Sequence, residues 1–129
     1  MPEVEPTATH PPLVLCVDDE YVGLEVRRVL LQRAGYQVLT ALDGETGIRL
    51  FAEQPIAAVV LDYAMPGLNG AEVATRMRAL KPAVPILMLS AYTSLPIGVS
   101  HLVDVSMTKG EGALALLARL GSLLPPGAS

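Results

Sequence analysis

Three carboxylates stand at the ends of two short apolar runs. Asp18 and Asp19 close Leu13-Val14-Leu15-Cys16-Val17, and Asp62 closes Ala57-Ala58-Val59-Val60-Leu61. An apolar run of this length that ends in charge reads as a buried strand of a parallel sheet. Its carboxyl end opens on the crevice where open α/β sheets bind ligands. Three carboxylates gathered there repel one another by roughly 4 kcal/mol per close pair at an effective dielectric of about 20, unless a cation sits among them. The cluster therefore predicts a hard divalent metal ion.

The rest of the chain alternates strands and helices around these runs. Glu20 to Ala34 places Val22, Val26, Val29 and Leu30 on one helical face, with Gly35 as the stop. Tyr36 to Ala41 reads as a strand, and Asp43 caps a helix that turns Ile48 and Phe51 inward until Pro55. After Asp62, the turn Met65-Pro66-Gly67-Leu68-Asn69-Gly70 leads into a helix carrying Val73, Met77 and Leu80, ended by Lys81-Pro82. Pro85 to Leu89 is a fourth strand ending at Ser90. A short helix is expected around residues 95 to 103, limited by Pro96 and Gly98. A strand near Asp104 to Thr108 ends in Lys109, and a last helix runs from about Glu111 to Leu124, before Pro125-Pro126. Five β/α units with right-handed crossovers give a doubly wound three-layer α/β/α sandwich. The strand ends then collect Asp18, Asp19, Asp62, Ser90 and Lys109.

Composition narrows the function classes. The 129 residues suit one domain, with a disordered tail expected over 1 to 12 and a short tail over 125 to 129. A net charge of -4 and the lack of any Lys/Arg run argue against direct nucleic-acid binding. Cys16, the single cysteine, lies inside a core strand and reads as a small buried hydrophobe. No stretch is apolar for the roughly 18 to 20 residues of a membrane span, and the first residues do not resemble a signal peptide, so a cytoplasmic location is expected. His101 has no Cys or second His at ligand spacing and reads as a surface or edge residue.

With these residues in order, the chain resembles a response-regulator receiver domain of two-component signalling over residues 13 to 124. The motifs are Val17-Asp18-Asp19-Glu20, Leu61-Asp62-Tyr63-Ala64-Met65-Pro66-Gly67-Leu68-Asn69-Gly70, Ser90-Ala91 and Lys109. The resemblance implies a flavodoxin-like (CheY-like) sheet of strand order 2-1-3-4-5. It implies Asp62 as phosphoacceptor from a phosphohistidine on a sensor histidine kinase or histidine phosphotransfer protein. It implies Mg2+ held by Asp19, Asp62 and the backbone carbonyl of Ala64, with Asp18 acting through water. Ser90 and Lys109 would bind the phosphoryl oxygens. Such a domain is a signalling module that assists its own phosphorylation and dephosphorylation rather than an enzyme acting on a separate substrate.

Departures from the family pattern mark this chain. Ser106 stands where receivers usually carry the aromatic switch. Gly110 replaces the usual proline after the lysine, so a trans Lys109-Gly110 bond and an altered loop are expected. The stretch from Ser90 to Lys109 is short, which predicts a reduced fourth helix, and Tyr92 is a candidate substitute gate. On the last helix, Leu114, Leu117 and Leu124 suit the sheet-packed face. Leu116, Leu120 and Leu123 form a second stripe, to be covered by a homodimer or partner contact, or by neighbouring loops and the tail. With no effector segment after Leu124, a stand-alone receiver that signals to an output protein by contact is expected. A receiver piece of a larger protein is the other form of that reading. The alternative from another class is a pseudo-receiver interaction module working without phosphate. A metal-dependent phosphatase would want its second acid two residues after a first-strand nucleophile, where this chain has Glu20.

Overall fold

The computed structural model describes residues 11–91 and 95–124. Five parallel strands, β1 (Leu13–Val17), β2 (Gln37–Ala41), β3 (Ala58–Asp62), β4 (Ile86–Ser90) and β5 (Val105–Thr108), form one sheet of order β2-β1-β3-β4-β5. Four helices cover it: α1 (Tyr21–Arg33), α2 (Gly44–Glu53), α3 (Gly70–Leu80) and α4 (Ala113–Leu123). The central strands are apolar on both sides because both sides are covered. Val14, Cys16, Val60, Leu87 and Met107 pack with Leu24 and Leu31 of α1 and Leu116 and Leu120 of α4. Leu15, Val17, Val59, Leu61 and Met88 pack with Phe51 of α2 and Val73, Ala74 and Met77 of α3.

Local signals set several boundaries as expected. The Asp43 side chain accepts from Thr46 N–H at 2.7 Å to start α2, and Phe51 points into the core. Asn69 and Glu72 form a reciprocal capping box that starts α3. Gly35 takes φ +102° after α1, a left-handed backbone that favours glycine. All described peptide bonds are trans, including Lys109-Gly110.

Helix rotation differs from expectation. On α1 the expected Val22, Val26 and Val29 face solvent, Leu30 of that face is half-buried against the core, and the pair Leu24 and Leu31 is buried. On α4 the sheet takes Leu116, Leu120 and Leu124, while Leu114 is 83% exposed and Leu117 and Leu123 are half-buried. Both helices carry two apolar stripes; on α1 the sheet took the one with the larger leucines, Leu24 and Leu31, and on α4, whose two stripes hold three leucines each, it took Leu116 and Leu120. The stripe that suggested a homodimer is therefore largely internal, and the case for that contact falls with it. Leu80 ends α3 half exposed rather than buried, being on its last turn.

Between β4 and β5 the expected helix is only a 3-10 turn, Ser100–Leu102. Arg78 holds this short connection: its guanidinium donates to the carbonyls of Leu102 at 3.0 Å and of Pro82 and Val84 at 3.1 Å, and pairs with Asp104. The Asp104 carboxylate also accepts from Ile86 N–H at 2.8 Å, tying the entry of β5 to that of β4. A second 3-10 turn, Lys109–Glu111, follows β5, with Thr108 and Glu111 making reciprocal capping bonds. Gly112, at φ +91°, then breaks the chain so that α4 starts at Ala113, two residues later than expected. Tyr92, residues 1–10 and residues 125–129 lie outside the described residues, while Pro12, expected in the tail, accepts from Gln37 N–H at 3.0 Å beside the sheet.

Candidate metal and phosphoryl site

Parallel pairing places the ends of β1, β3, β4 and β5 side by side, with Asp62 opposite Leu89 and Ser90 opposite Thr108. Asp18 and Asp19 follow β1, Asp62 and Ser90 are the last residues of β3 and β4, and Lys109 follows β5. The crevice at the carboxyl edge thus receives the five residues expected there. Ligand oxygens of Asp18, Asp19 and Asp62 lie within 4.8 Å of one another. Asp18 and Asp62 are buried, Asp19 is exposed, and Ser90 is 3% exposed. Ala64 lies two residues past Asp62 and is exposed.

Packing and turn geometry aim Asp62. Gly70 N–H donates to the Tyr63 carbonyl at 2.7 Å, folding the start of α3 against the strand end. A Cβ on Gly70 would lie 2.7 Å from both the Asp62 carbonyl oxygen and Tyr63 Cα, so only glycine fits. Gly67 supplies the left-handed turn of this loop at φ +77°.

Two cations meet the acidic cluster. Lys109 Nζ lies 3.1 Å from Asp62 Oδ1 and 3.3 Å from Asp18 Oδ2. Arg27, on the inward face of α1, places Nη1 3.3 Å from the same Asp18 oxygen. The other oxygen of Asp18 accepts from Glu20 N–H at 2.9 Å. Asp18 is thus held from three sides and does not cap α1, whose N-cap, Glu20, makes no side-chain capping bond. Burial pushes the Asp62 carboxyl above its ordinary range; Lys109 opposes this, and the charges of Asp18 and Asp19 add to it. Burial works to lower the Lys109 ammonium, but hydrogen bonding and attraction to Asp62 and Asp18 outweigh it and raise it. Cys16, beneath the site, is driven up to about 12 by burial, partly opposed by Arg27, and is an inert thiol.

Arg27 was not legible as a site residue from the sequence. It stands nine positions after Asp18, and its placement depends on the rotation of α1 that also buries Leu24 and Leu31. Leu24, Arg27 and Leu31 at i, i+3 and i+7 are the signal that could have found it. The donor set fits a hard cation: three carboxylates, two of them buried, are matched by two monovalent cations, and one of the three is open to solvent.

A family model described as the response regulator receiver domain matches residues 14–108. The chain is 36% identical over 121 residues to the transcriptional regulatory protein PrrA of Mycobacterium tuberculosis, covering 92% of this chain and 52% of that protein. It is 39% identical over 111 residues to the transcriptional regulatory protein KdpE of the same organism, covering 84% and 49%. The chain therefore spans about half the length of the curated relatives it matches. Among solved structures, the response regulator TrrA of Thermotoga maritima in complex with Mg2+-BeF superposes with a TM-score of 0.84 at 32% identity, over 88% of this chain and 99% of that one. TrrA in complex with the histidine kinase ThkA superposes at 0.82, again at 32% identity over 88% and 99%. No described helix is long and apolar enough to cross a membrane.

Proposed function

The chain belongs to the response regulator receiver domain family, and on that premise we propose that it accepts a phosphoryl group on Asp62 in a Mg2+-dependent phosphorelay. The observation that carries the reading is the single ammonium of Lys109 set between the carboxylates of Asp62 and Asp18, at the edge of a three-carboxylate cluster. Asp19, Asp62 and the Ala64 carbonyl would hold Mg2+, with Asp18 acting through water. The bound ion would supply charge compensation for the phosphoryl oxygens. An Asp62 carboxylate oxygen attacks phosphorus, the bond from phosphorus to the imidazole nitrogen of the donor breaks, and its electron pair returns to that nitrogen. Lys109 shifts its donors from Asp62 to a phosphoryl oxygen, and the Ser90 hydroxyl donates to another, at points where charge spreads in the transition state. The same residues would accept from a small acyl phosphate and would support later hydrolysis.

The partner is a sensor histidine kinase or a histidine phosphotransfer protein, by likeness to the ThkA complex, and the reaction is cytoplasmic. The exposed valines of α1, beside the site, provide an apolar surface for that encounter. Output passes by contact with another protein. A phosphorylation-independent interaction module is favoured by one observation: Ser106, where receivers usually place an aromatic ring, is exposed on β5. Intact-protein mass spectrometry after incubation with acetyl phosphate and Mg2+ decides between the two. One phosphoryl adduct, lost in Asp62→Asn and with chelator, is expected. No adduct, under conditions that label an ordinary receiver, assigns the chain to the interaction module.

A further inference from the structure

Arg27 is a nearly buried cation, its side chain 12% exposed, and Asp18 is its one ion-pair partner among the described residues. Behind the guanidinium lies an open cavity of about 280 Å³, walled mainly by apolar groups including Leu30, Leu89, Met107 and Leu116, which contribute no second carboxylate. A buried guanidinium is costly to leave unpaired, so Arg27 is committed to Asp18. Lys109 is not committed in this way, since it divides its donors between Asp18 and Asp62.

We propose that Arg27 sets the divalent-metal affinity of the site through its charge, by holding a fixed positive charge on the buried Asp18 carboxylate beside the metal position. The inference rests on the reading of the three-carboxylate cluster as the Mg2+ site. Two cations converge on Asp18 Oδ2, at 3.3 Å each, and an entering divalent ion meets the repulsion of both. Phosphoryl binding draws Lys109 away, whereas Arg27 has Asp18 as its one ion-pair partner among the described residues. Its charge stabilises the metal-free fold and opposes the metal-bound one, which keeps the ion exchangeable. Asp18 stays oriented without it, through Glu20 N–H and Lys109.

The test is Mn2+ titration of the full chain, with free ion read by electron paramagnetic resonance. It is paired with thermal unfolding in chelator and in Mg2+. Arg27→Met should bind Mn2+ about tenfold more tightly, the order of effect that one unit charge nearby has on a divalent ion even through water screening. Arg27→Lys should stay close to wild type. Mg2+ should raise the unfolding temperature of Arg27→Met by more than that of wild type, as linkage requires of a tighter site. Arg27→Gln serves the same comparison if the Met variant does not fold. Unchanged or weaker Mn2+ binding in the neutral variants, with wild-type binding intact and dependent on Asp62, overturns this inference alone. Wild-type protein whose Mn2+ binding is absent or unaffected by Asp62→Asn overturns the metal-site reading and the inference with it.

Discussion

Asp62→Asn should stabilise the metal-free protein while removing most of its response to Mg2+. Asp62 is 3% exposed, and its oxygens share a 4.8 Å cluster with those of Asp18 and Asp19. At an effective dielectric of about 20, each of its two carboxylate neighbours repels it by about 3.5 kcal/mol at that separation, and Lys109 at 3.1 Å returns about 5 kcal/mol. The balance is unfavourable by about 2 kcal/mol before the cost of desolvating a buried carboxylate is added. Asparagine keeps the shape and removes the charge, so a gain of about 2 kcal/mol, or roughly 5 to 10 °C in Tm, is expected at pH 7 in chelator. The gain has a definite pH dependence. Burial, opposed by Lys109, holds the folded-state value of Asp62 above the unfolded one. The proton is therefore bound more tightly by the folded chain, and this contribution to wild-type stability is present below the unfolded value of about 3.9 and is lost as pH rises through the folded value. The advantage of the Asn variant should be absent below about pH 4, grow as pH rises toward the folded value of Asp62 and be full above it, measured by thermal unfolding across pH. With Mg2+ the wild type should recover most of the difference. An Asn variant no more stable than wild type in chelator at pH 7, or a gap constant from acid to neutral pH, would refute the electrostatic account.

Three further outcomes follow from particular contacts. Gly70→Ala sets a methyl 2.7 Å from the backbone of Asp62 and Tyr63; a loss of about 1 to 3 kcal/mol is expected from overpacking, together with a weaker Mg2+-induced rise in Tm, because the end of β3 must shift. Arg78→Ala removes the bonds that close the β4 to β5 connection. It should cost about 2 to 3 kcal/mol in denaturant unfolding, the order for a lost network of charge-assisted bonds, and leave Mn2+ affinity within about twofold, since none of those bonds touches Asp18, Asp19 or Asp62. Asn69→Ala breaks the capping box of α3, and chemical denaturation should show a loss of about 1 kcal/mol.

Much of the candidate site was legible in the sequence because parallel strands put their carboxyl ends on one edge. A residue that ends an apolar run is delivered to that edge whatever the details of packing, and Asp18, Asp19, Asp62, Ser90 and Lys109 all qualify. The starts of α2 and α3 were legible for a related reason, since a cap acts within three residues of chain. The helix expected around residues 95 to 103 is reduced further than Pro96 and Gly98 imply: the described residues there hold a 3-10 turn, Ser100–Leu102, secured by Arg78 from α3.

The amino-acid sequence by itself determined the order of elements, the sheet edge that holds the candidate site and the residues delivered there, because those follow from local propensity and from where each apolar run stops. Only the tertiary structure decided how α1 and α4 are rotated. Each helix carries two apolar stripes, and periodicity cannot rank them; the area each buries against the sheet can, and it selected Leu24 with Leu31 and Leu116 with Leu120. That choice turned Val22, Val26 and Val29 to solvent, closed the leucine stripe of α4, and carried Arg27 to Asp18. A cation nine residues away in sequence thereby joined the acidic cluster, because a helix packed on its leucine face had no other place to put it.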